Sequence, residues 1–180
     1  MYTNSHSMEL VVARNDLCYI GDNKNGLLYH IKEDMKHFRT LTKGHIILMG
    51  RNTFESLPNG PLPNRIHIVL TRNVNTEQIS DKRVYFSDLE HYEELFMRIK
   101  EPHQKLFVIG GGMIYDLLWK QCKVLHITHV CDNKIGNIKW DASYDEIEKE
   151  FDKKKSTHKR CEESGLDYIF IEYEKNASFR

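Results

Sequence analysis

Residues 106–115 have the sequence Leu-Phe-Val-Ile-Gly-Gly-Gly-Met-Ile-Tyr, and this stretch decides the fold. Its four leading apolar residues are typical of a parallel strand that is buried on both faces. The three glycines let the backbone approach a ligand closely, and the helix expected after them carries Ile114, Leu117 and Leu118. The free N–H groups at such a helix start suit a diphosphate. The run is not a G-x-G-x-x-G motif, so a glycine turn without a ligand stays open as an alternative.

Segments of strand and helix character alternate through most of the chain, as in a sheet covered by helices. We predict strands over residues 8–13, 45–49, 66–70, 84–86, 105–109, 124–130, 154–162 and 167–173. We predict helices over residues 33–41, 88–99 and 112–119, the second with Ser87 as its cap. Alternating side chains after the 163–165 turn indicate a closing hairpin. The predicted fold is therefore α/β: a central mixed, mostly parallel eight-stranded sheet with flanking helices and a C-terminal antiparallel hairpin.

The length and composition fit one cytoplasmic domain. Of the 180 residues, 40% are hydrophobic, and 26 Lys and Arg balance 26 Asp and Glu. A neutral chain has no field to draw it to nucleic acid or to an anionic membrane, and the sequence shows no signal peptide or membrane-spanning run. The four scattered cysteines suit reduced thiols rather than a disulfide framework. We expect a disordered extension over residues 1–7, a single domain over 8–175 and a polar tail over 176–180.

Three arginines lie next to predicted strand ends. Residues 50–53, Gly-Arg-Asn-Thr, follow one buried strand, and residues 70–72, Leu-Thr-Arg, close the next. Arg51 and Arg72 together can grip a phosphate through charge-assisted hydrogen bonds, although each alone is more typical of a surface position. Residues 61–65, Pro-Leu-Pro-Asn-Arg, form a stiff segment whose arginine can hold a substrate carboxylate.

Asp34 is the strongest candidate for a proton-transfer group. It lies beside Met35 and four residues before Phe38, so helical spacing puts its carboxylate at the border of the apolar face. Burial there raises the pKa of a carboxyl toward neutrality, and such a group can take part in proton transfer. A solvent-facing charge beside Glu33 is the alternative interpretation.

Several other reaction classes have no motif in this sequence. There is no His-Glu-x-x-His, and His126 and His129 lie three apart in a predicted strand, so they face opposite sides of it. We find no Gly-x-Ser-x-Gly, no Walker lysine loop and no basic stripe interleaved with aromatic residues. We therefore predict no metal site, and hydrolase, nucleoside-triphosphatase and nucleic-acid-binding functions are disfavoured.

Six stretches occur in one order between residues 8 and 174. They are Val12-Ala13 with Ile20-Gly21; Ile31-Lys32-Glu33-Asp34-Met35 with Phe38; Met49-Gly50-Arg51-Asn52-Thr53-Phe54-Glu55-Ser56-Leu57; Pro61-Leu62-Pro63-Asn64-Arg65; Val108-Ile109-Gly110-Gly111-Gly112-Met113-Ile114-Tyr115; and Ile127-Thr128-His129. Each block alone is a weak signal. In this order and at these spacings, the chain resembles the dihydrofolate reductase family.

The resemblance implies a folate site and a neighbouring cofactor site. Asp34 would hydrogen-bond the pterin ring and promote protonation at N5, Thr128 would support it, and Arg65 would pair with the glutamate carboxylate. The other implied substrate contacts are Val11, Val12, Met35, Phe38, Leu57, Leu62, Ile109 and Tyr115. The implied cofactor contacts are Ala13, Ile20 and Gly21 at the nicotinamide, and Gly50, Arg51, Asn52, Thr53, Leu70, Thr71, Arg72, Gly111, Gly112, Met113, Ile114 and Tyr115 elsewhere. Arg51, Thr71 and Arg72 would read a 2′-phosphate, which favours NADPH over NADH.

The implied reaction is the NADPH-dependent reduction of 7,8-dihydrofolate to 5,6,7,8-tetrahydrofolate, by hydride transfer to C6 coupled to N5 protonation. The product would supply one-carbon metabolism and thymidylate synthesis, and the resemblance further implies a monomer that binds antifolate inhibitors. Two alternatives keep the fold: a pyrimidine reductase of the riboflavin pathway, and a catalytically silent NADPH-binding relative.

Two departures from the family pattern affect the cofactor site. Residues 27–29, Leu-Leu-Tyr, stand where short bacterial members often have Met, Pro and Trp, and the loop over residues 22–30 is one residue longer. Met113 replaces an arginine that some members place beside the pyrophosphate. We expect altered loop kinetics and a modestly lower cofactor affinity. The unusual loop is the feature that favours the silent relative.

Overall fold

The computed structural model describes residues 7–23, 26–73 and 83–179. Apart from Ser7, the predicted N-terminal extension lies outside these ranges. In chain order, the strands are β1 (Met8–Asn15), β2 (Tyr19–Asp22), β3 (Gly26–Leu27), β4 (Ile46–Gly50), β5 (Ile66–Leu70), β6 (Val84–Ser87), β7 (Leu106–Gly110), β8 (Val124–Val130), β9 (Ile138–Lys139), β10 (Phe151–Arg160) and β11 (Asp167–Lys175). The helices are α1 (Lys32–Thr42), α2 (Arg51–Glu55), α3 (Tyr92–Ile99), α4 (Gly112–Leu118) and α5 (Tyr144–Glu150), with short 3₁₀ turns at Trp119–Gln121 and Ala177–Phe179.

The main sheet has eight strands in the order β10-β11-β8-β1-β7-β4-β5-β6. Strand β1 pairs in parallel with β7 and β8, and the parallel pairing continues through β4, β5 and β6. Strand β11 runs antiparallel to both β8 and β10. The predicted mixed, mostly parallel sheet with a C-terminal antiparallel hairpin is thus confirmed.

The two faces of the sheet bury different sets of apolar side chains. Leu10 and Val12 of β1 pack in one cluster with residues of α3, α4 and α5, whereas Val11 packs on the other side with Phe38 of α1 and Phe54 of α2. Burying each large aliphatic side chain contributes about 1.5–3 kcal/mol. Because both faces are covered, the strand Ile46–Gly50 is apolar at four consecutive positions instead of alternating.

Three local predictions differ from the structure. Helix α3 begins at Tyr92 rather than residue 88, because the Asp88 carboxylate accepts the N–H groups of Glu90 and His91 and closes a turn there. Ser87 is therefore the last residue of β6 and not a helix cap. Strand β10 starts three residues earlier than predicted and ends two earlier, at Arg160.

Other elements were not predicted at all. Helix α5 begins at a capping box, in which Ser143 accepts the backbone N–H of Glu146 while the Glu146 carboxylate accepts that of Ser143. Strands β2, β3 and β9 form a small second sheet in the order β3-β2-β9. Among the helices in the described ranges, none combines the length and apolar character needed to cross a membrane.

Candidate active site

The carboxyl ends of the parallel strands bring most of the predicted site residues to one edge of the sheet. Ala13 lies near the end of β1, while Gly50, Leu70 and Gly110 end β4, β5 and β7. Register pairs fix their order, since Gly50 lies opposite Leu70 and Met49 opposite Gly110. A cleft at this edge is the expected ligand position in an open α/β sheet.

Asp34 and Thr128 form the polar centre of this edge. Asp34 lies in the first turn of α1, and Thr128 is the register partner of Ala13 on β8. The Thr128 hydroxyl donates to the Asp34 carboxylate, with 2.6 Å between Oγ1 and Oδ1. Burial raises the pKa of Asp34, and the hydrogen bond from Thr128 only partly opposes it. The carboxyl therefore holds a proton at higher pH than an ordinary aspartate does.

Apolar side chains form a wall beside this carboxyl. Val11, Phe38, Leu57, Leu62 and Ile109 belong to one packed cluster, and of these five only Val11 is buried while the others are partly exposed. Met35, one residue after Asp34, leaves 45% of its surface exposed. Such a half-exposed apolar wall is suited to cover a flat ring system.

Val12 and Tyr115 lie differently from the other predicted substrate contacts. Strand alternation puts the Val12 side chain on the opposite face, in the core cluster with Leu10 and Leu125. Only the Val12 backbone can face the cleft. Tyr115 is buried, and its hydroxyl donates to the Val11 carbonyl at 2.7 Å. The Tyr115 hydroxyl thus binds the backbone of β1. Burial, and after it the charge of Asp34, raises the pKa of Tyr115.

Arg65 is a buried cation at the far end of the wall, with 6% of its surface exposed. Its Nη1 donates to Thr42 Oγ1 at 3.0 Å and its Nε to the Pro63 carbonyl at 3.1 Å, and the guanidinium lies 5.8 Å from the Phe38 ring centre. Within the described ranges it forms no ion pair with a carboxylate. Burial, followed by the charge of Arg39, lowers its pKa, but a guanidinium still stays charged at neutral pH. This geometry is suited to an incoming carboxylate.

Thr42 is a site residue that the sequence did not indicate. It ends α1, donates its hydroxyl proton to the Phe38 carbonyl at 2.8 Å, and accepts from Arg65. A threonine in a helix commonly donates a hydrogen bond to the carbonyl four residues earlier, so this bond alone does not indicate a functional residue. Its contact with a residue 23 positions away needs the folded structure.

Glycines let two helix starts and β9 approach one another closely. A Cβ on Gly111 would lie 3.2 Å from Thr53 Oγ1, and one on Gly50 would lie 3.3 Å from Ile114 Cγ1. A Cβ on Gly112 would lie closer than 3.0 Å to the Lys139 carbonyl oxygen. At Gly110 the backbone has φ of +119°, a conformation that favours glycine. The glycine run therefore lets these elements meet at close range, and we call the backbone surface that they form the cradle.

The predicted phosphate contacts follow the ends of β4 and β5 or lie at the start of α4. Arg51 is exposed and pairs through Nε with Glu55 at 2.7 Å. Because Gly50 and Leu70 are register partners, Arg51 and Thr71 leave the sheet side by side. Arg72, Asn52 and Met113 are exposed as well, and Met113 leaves 64% of its surface accessible. Two guanidinium groups thus follow adjacent strand ends, as the sequence predicted.

The remaining predicted residues lie on the small sheet. Ile20 packs against the main core, and Gly21 is buried in β2 between β3 and β9. A Cβ on Gly21 would lie 2.7 Å from the Gly26 carbonyl oxygen, so only glycine fits there. The small sheet packs against the main sheet through β1 and β2, and β1 carries Ala13 near its end.

The two histidines of β8 lie on opposite faces, as predicted. His126 pairs with Glu9 at 2.7 Å, whereas His129 lies between Asp16 at 2.7 Å and the Tyr144 hydroxyl at 2.9 Å. In the part of the chain that the structure describes, no group of three or more His, Cys, Asp or Glu side chains is arranged to hold a metal ion.

Comparisons with known proteins agree with this architecture. A family model described as dihydrofolate reductase matches residues 7–175. The bifunctional dihydrofolate reductase-thymidylate synthase of Paramecium tetraurelia is 35% identical over 109 residues, which span 59% of this chain and 22% of that longer protein. The dihydrofolate reductase of Bacillus subtilis (strain 168) is 33% identical over 156 residues, 86% of each chain. Dihydrofolate reductase from Enterococcus faecalis, solved with NADP(H) and RAB-propyl, has a TM-score of 0.76 and 25% identity over 94% of this chain and 96% of that one.

A mixed eight-stranded sheet with a glycine-lined cradle beside a half-buried carboxyl defines an oxidoreductase of the pterin-reducing class. The match over residues 7–175 makes the assignment specific. The chain belongs to the dihydrofolate reductase family.

Proposed function

We propose that this chain reduces 7,8-dihydrofolate to 5,6,7,8-tetrahydrofolate, with NADPH and a proton consumed and NADP⁺ released. The observation that carries the proposal is the pair of Thr128 and Asp34, a proton-holding carboxyl on an apolar wall beside a backbone-lined cradle. Family membership supports the same activity. The pyrimidine reductase is not favoured, because it leaves the combination of Asp34, Phe38 and Arg65 without a purpose.

The residues of the cradle fit a dinucleotide. A Cβ at Gly50, Gly111 or Gly112 would meet atoms of the chain itself, so the glycines let the starts of α2 and α4 come together, and the backbone N–H groups at these helix starts suit a diphosphate. Arg51 and Arg72 would hold the 2′-phosphate, and Ala13, Ile20 and Gly21 would border the nicotinamide. When bound, the nicotinamide supplies the hydride for C6. Met113 leaves the pyrophosphate to backbone N–H groups.

Asp34 would serve the protonation of N5. The carboxyl stays protonated to higher pH than usual because it is desolvated, and Thr128 fixes its orientation by donating to Oδ1. A positioned acid contributes about 10²–10⁴-fold to such a reaction. The apolar wall excludes water around the developing charge, which strengthens this interaction.

Arg65 would bind the glutamate carboxylate of the substrate. Thr42 and the Pro63 carbonyl hold two of its N–H groups, so the remaining donors are oriented before the substrate arrives. Preorganised charge-assisted hydrogen bonds are stronger and cost less entropy on binding. The wall from Val11 to Leu62 would cover the pterin and aminobenzoyl rings.

The finer predictions on the cellular setting are part of this proposal. We propose a single domain over residues 8–175 from the chain length, and no binding to nucleic acid from the neutral composition. A monomeric state is proposed from the family's usual form, and cytoplasmic localisation from the absence of a signal peptide in the sequence. The four cysteines are free thiols, as a reducing compartment requires. Antifolates that mimic the pterin would bind between Asp34 and Phe38.

The proposed function is tested by following NADPH oxidation with dihydrofolate at neutral pH. We expect turnover by the wild type and a loss of about 10²–10⁴-fold in Asp34→Asn, because the amide keeps the bond from Thr128 but has no acidic proton. Asp145→Asn is the matched control, since Asp145 also lies in the first turn of a helix but is exposed. In the wild type, kcat/KM falls as pH rises through the pKa of Asp34, and this slope disappears in Asp34→Asn.

Three outcomes would contradict the proposal. Folded wild type that binds NADPH without oxidising it would identify the catalytically silent relative. Full activity of Asp34→Asn would remove the carboxyl from the mechanism. An equal loss in Asp145→Asn would show that the assay reports general damage.

A further inference from the structure

Helix α1, which carries Asp34, begins without a side-chain cap. Its N-cap residue is Ile31, a buried residue whose side chain cannot accept the free N–H groups of the first turn. Ile31 instead packs in a small apolar cluster with Val130 of β8 and Tyr168 of β11. The start of α1 is therefore held by tertiary contacts, and these contacts decide how the first turn of the helix lies on the sheet.

Tyr168 makes a polar contact at this helix start. It is buried, and its hydroxyl donates to the carboxylate of Glu33, the residue directly before Asp34. Burial, followed by Glu33, raises the pKa of Tyr168, and the charge of Asp34 acts in the same direction. Tyr168 is therefore a neutral donor at neutral pH and lies close enough to Asp34 to feel its charge. An exposed ion pair between Lys32 and Glu163 also lies at this helix start, but a surface pair of this kind contributes little.

The contact between α1 and β11 continues into the next helical turn. His37 follows Glu33 by four positions, and the centre of its ring lies 4.4 Å from that of Phe170, which follows Tyr168 by two positions. Four helical residues rise about 6 Å and two strand residues about 6.6 Å, so successive contacts on the two elements have matching spacing. The face of α1 that carries Glu33 and His37 is thus seated on β11.

Two consecutive residues of α1 bond to two adjacent strands. Asp34 accepts from Thr128 of β8, and Glu33 accepts from Tyr168 of β11. The two strands are paired, with Thr128 opposite Phe170. Consecutive helix residues point about 100° apart, so a rotation of α1 about its axis that kept one bond would break the other. The bond from Tyr168 therefore fixes the rotation of α1, and with it the direction of the Asp34 carboxyl.

We propose that Tyr168 is a positioning residue for the reaction, which acts through Glu33 to set the rotation of α1 so that the Asp34 carboxyl faces the pterin site. The proposal rests on the proposed function for the role of Asp34. Tyr168 belongs to the cluster of Ile31 and not to the apolar wall, so it acts through the helix rather than by contact with the substrate. With the bond from Thr128 alone, the helix start could turn about that single contact.

The test compares Tyr168→Phe with Tyr173→Phe in the full chain. Tyr173 lies on the same strand, is equally buried, and donates its hydroxyl to Glu148 of α5 with 2.8 Å between the two oxygens. Each variant loses one hydrogen bond from tyrosine to glutamate, so a general loss of stability affects both alike. Only Tyr168→Phe should lower kcat/KM for dihydrofolate, by about 3- to 30-fold, because a small misplacement of a catalytic group is costly. The KM for NADPH should stay unchanged in both variants.

The pH dependence separates a positioning role from a merely structural one. When the first turn of α1 is loosened, water reaches the Asp34 carboxyl and partly relieves the desolvation that raises its pKa. The falling limb of kcat/KM against pH should therefore move to lower pH in Tyr168→Phe and keep its position in Tyr173→Phe. The pKa of Asp34, followed by carbon-13 NMR titration, should fall in Tyr168→Phe only. This second measurement does not depend on turnover.

Variants of Glu33 separate position from charge. Glu33→Ala removes the acceptor of the bond and should reproduce the loss of kcat/KM seen in Tyr168→Phe. Glu33→Gln keeps an acceptor oxygen for the Tyr168 hydroxyl and should restore most of the activity. In the double variant of Tyr168→Phe with Glu33→Ala, the loss should be no greater than in either single variant, since both remove the same bond.

Several results would overturn the proposal. An unchanged kcat/KM or an unchanged pKa of Asp34 in Tyr168→Phe would make the bond merely structural, and equal losses in Tyr173→Phe would reduce the effect to general destabilisation. A loss in Glu33→Gln as large as in Glu33→Ala would show that the charge of Glu33 matters and not its position. A wild type that binds NADPH without turnover would refute the proposed function alone, because the NMR titration still decides on Tyr168.

Discussion

Of the glycines in the cofactor cradle, Gly112 is the one whose replacement by alanine should destabilise the structure most. It is the first residue of α4, and a Cβ there would lie closer than 3.0 Å to the Lys139 carbonyl oxygen and 3.3 Å from Ile138 Cγ2. The first of these atoms is backbone and cannot rotate away. In Gly112→Ala, β9 must therefore move away from α4. Forcing such a displacement into a packed structure costs about 1–3 kcal/mol.

The assay is thermal unfolding without cofactor, which separates the packing cost from any loss of binding. For a chain of this length each kcal/mol lowers the Tm by about 2–4 °C, so we expect a drop of about 2–12 °C in Gly112→Ala. Gly50→Ala is the matched control, because its Cβ would meet only the Ile114 side chain, at 3.3 Å, and should cost less than about 1 kcal/mol. Since Ile138 is the register partner of Gly21, NADPH affinity should also fall in Gly112→Ala. A Tm within about 1 °C of the wild type, or a larger drop in Gly50→Ala, would refute the reasoning.

Two further predictions concern buried polar side chains that contact the apolar wall. His67 is fully buried, its Nε2 accepts the Leu62 N–H at 2.9 Å, and burial lowers its pKa to about 4. Because the unfolded chain binds the proton more tightly than the folded chain, the free energy of unfolding decreases as pH falls below about 6.5. Between pH 7 and pH 5, urea unfolding should show a decrease that is roughly 2 kcal/mol larger in the wild type than in His67→Gln. Equal decreases in the two proteins would contradict this prediction. Arg65→Leu should raise the KM for dihydrofolate about 10- to 150-fold with little change in kcat. The KM for a dihydropterin without the glutamate tail should stay unchanged. An equal rise in KM for both substrates would show that Arg65 does not bind the glutamate carboxylate.

Much of the fold could be predicted because the strands of a doubly covered sheet carry a strong local signal. The apolar runs of β4 and β7 are buried at nearly every position, so their sequence alone identifies them. The start of α3 could not be predicted in the same way, because Ser87 and Asp88 both suit a helix cap and the choice depends on β5–β6 pairing. The Ser143-x-x-Glu146 pattern is a local signal for the start of α5.

The residues of the candidate site also divide into those that the local sequence predicts and those that it does not. Helical spacing was enough to place Asp34 at the border of an apolar face, since that is a property of one helix. Its partner Thr128 is 94 positions away, and only the resemblance named it. Val12 differs from these two residues: the resemblance implies it as a substrate contact, but strand alternation turns its side chain into the core on the other face and leaves only its backbone for such a contact.

The departure at residues 27–29 shows why a local pattern can be misread when its partner is distant. Against the family pattern, Tyr29 counts as a lost tryptophan and favours a silent relative. In the structure, its hydroxyl lies between Asn15 and Asp132, and the carboxylate is 103 positions away. A tryptophan here would leave the Asn15 amide short of an acceptor, at a cost of about 1–3 kcal/mol for a buried group. Tyr29 and Asp132 are therefore explained only as a pair, and the altered loop is held by hydrogen bonds that its own residues supply.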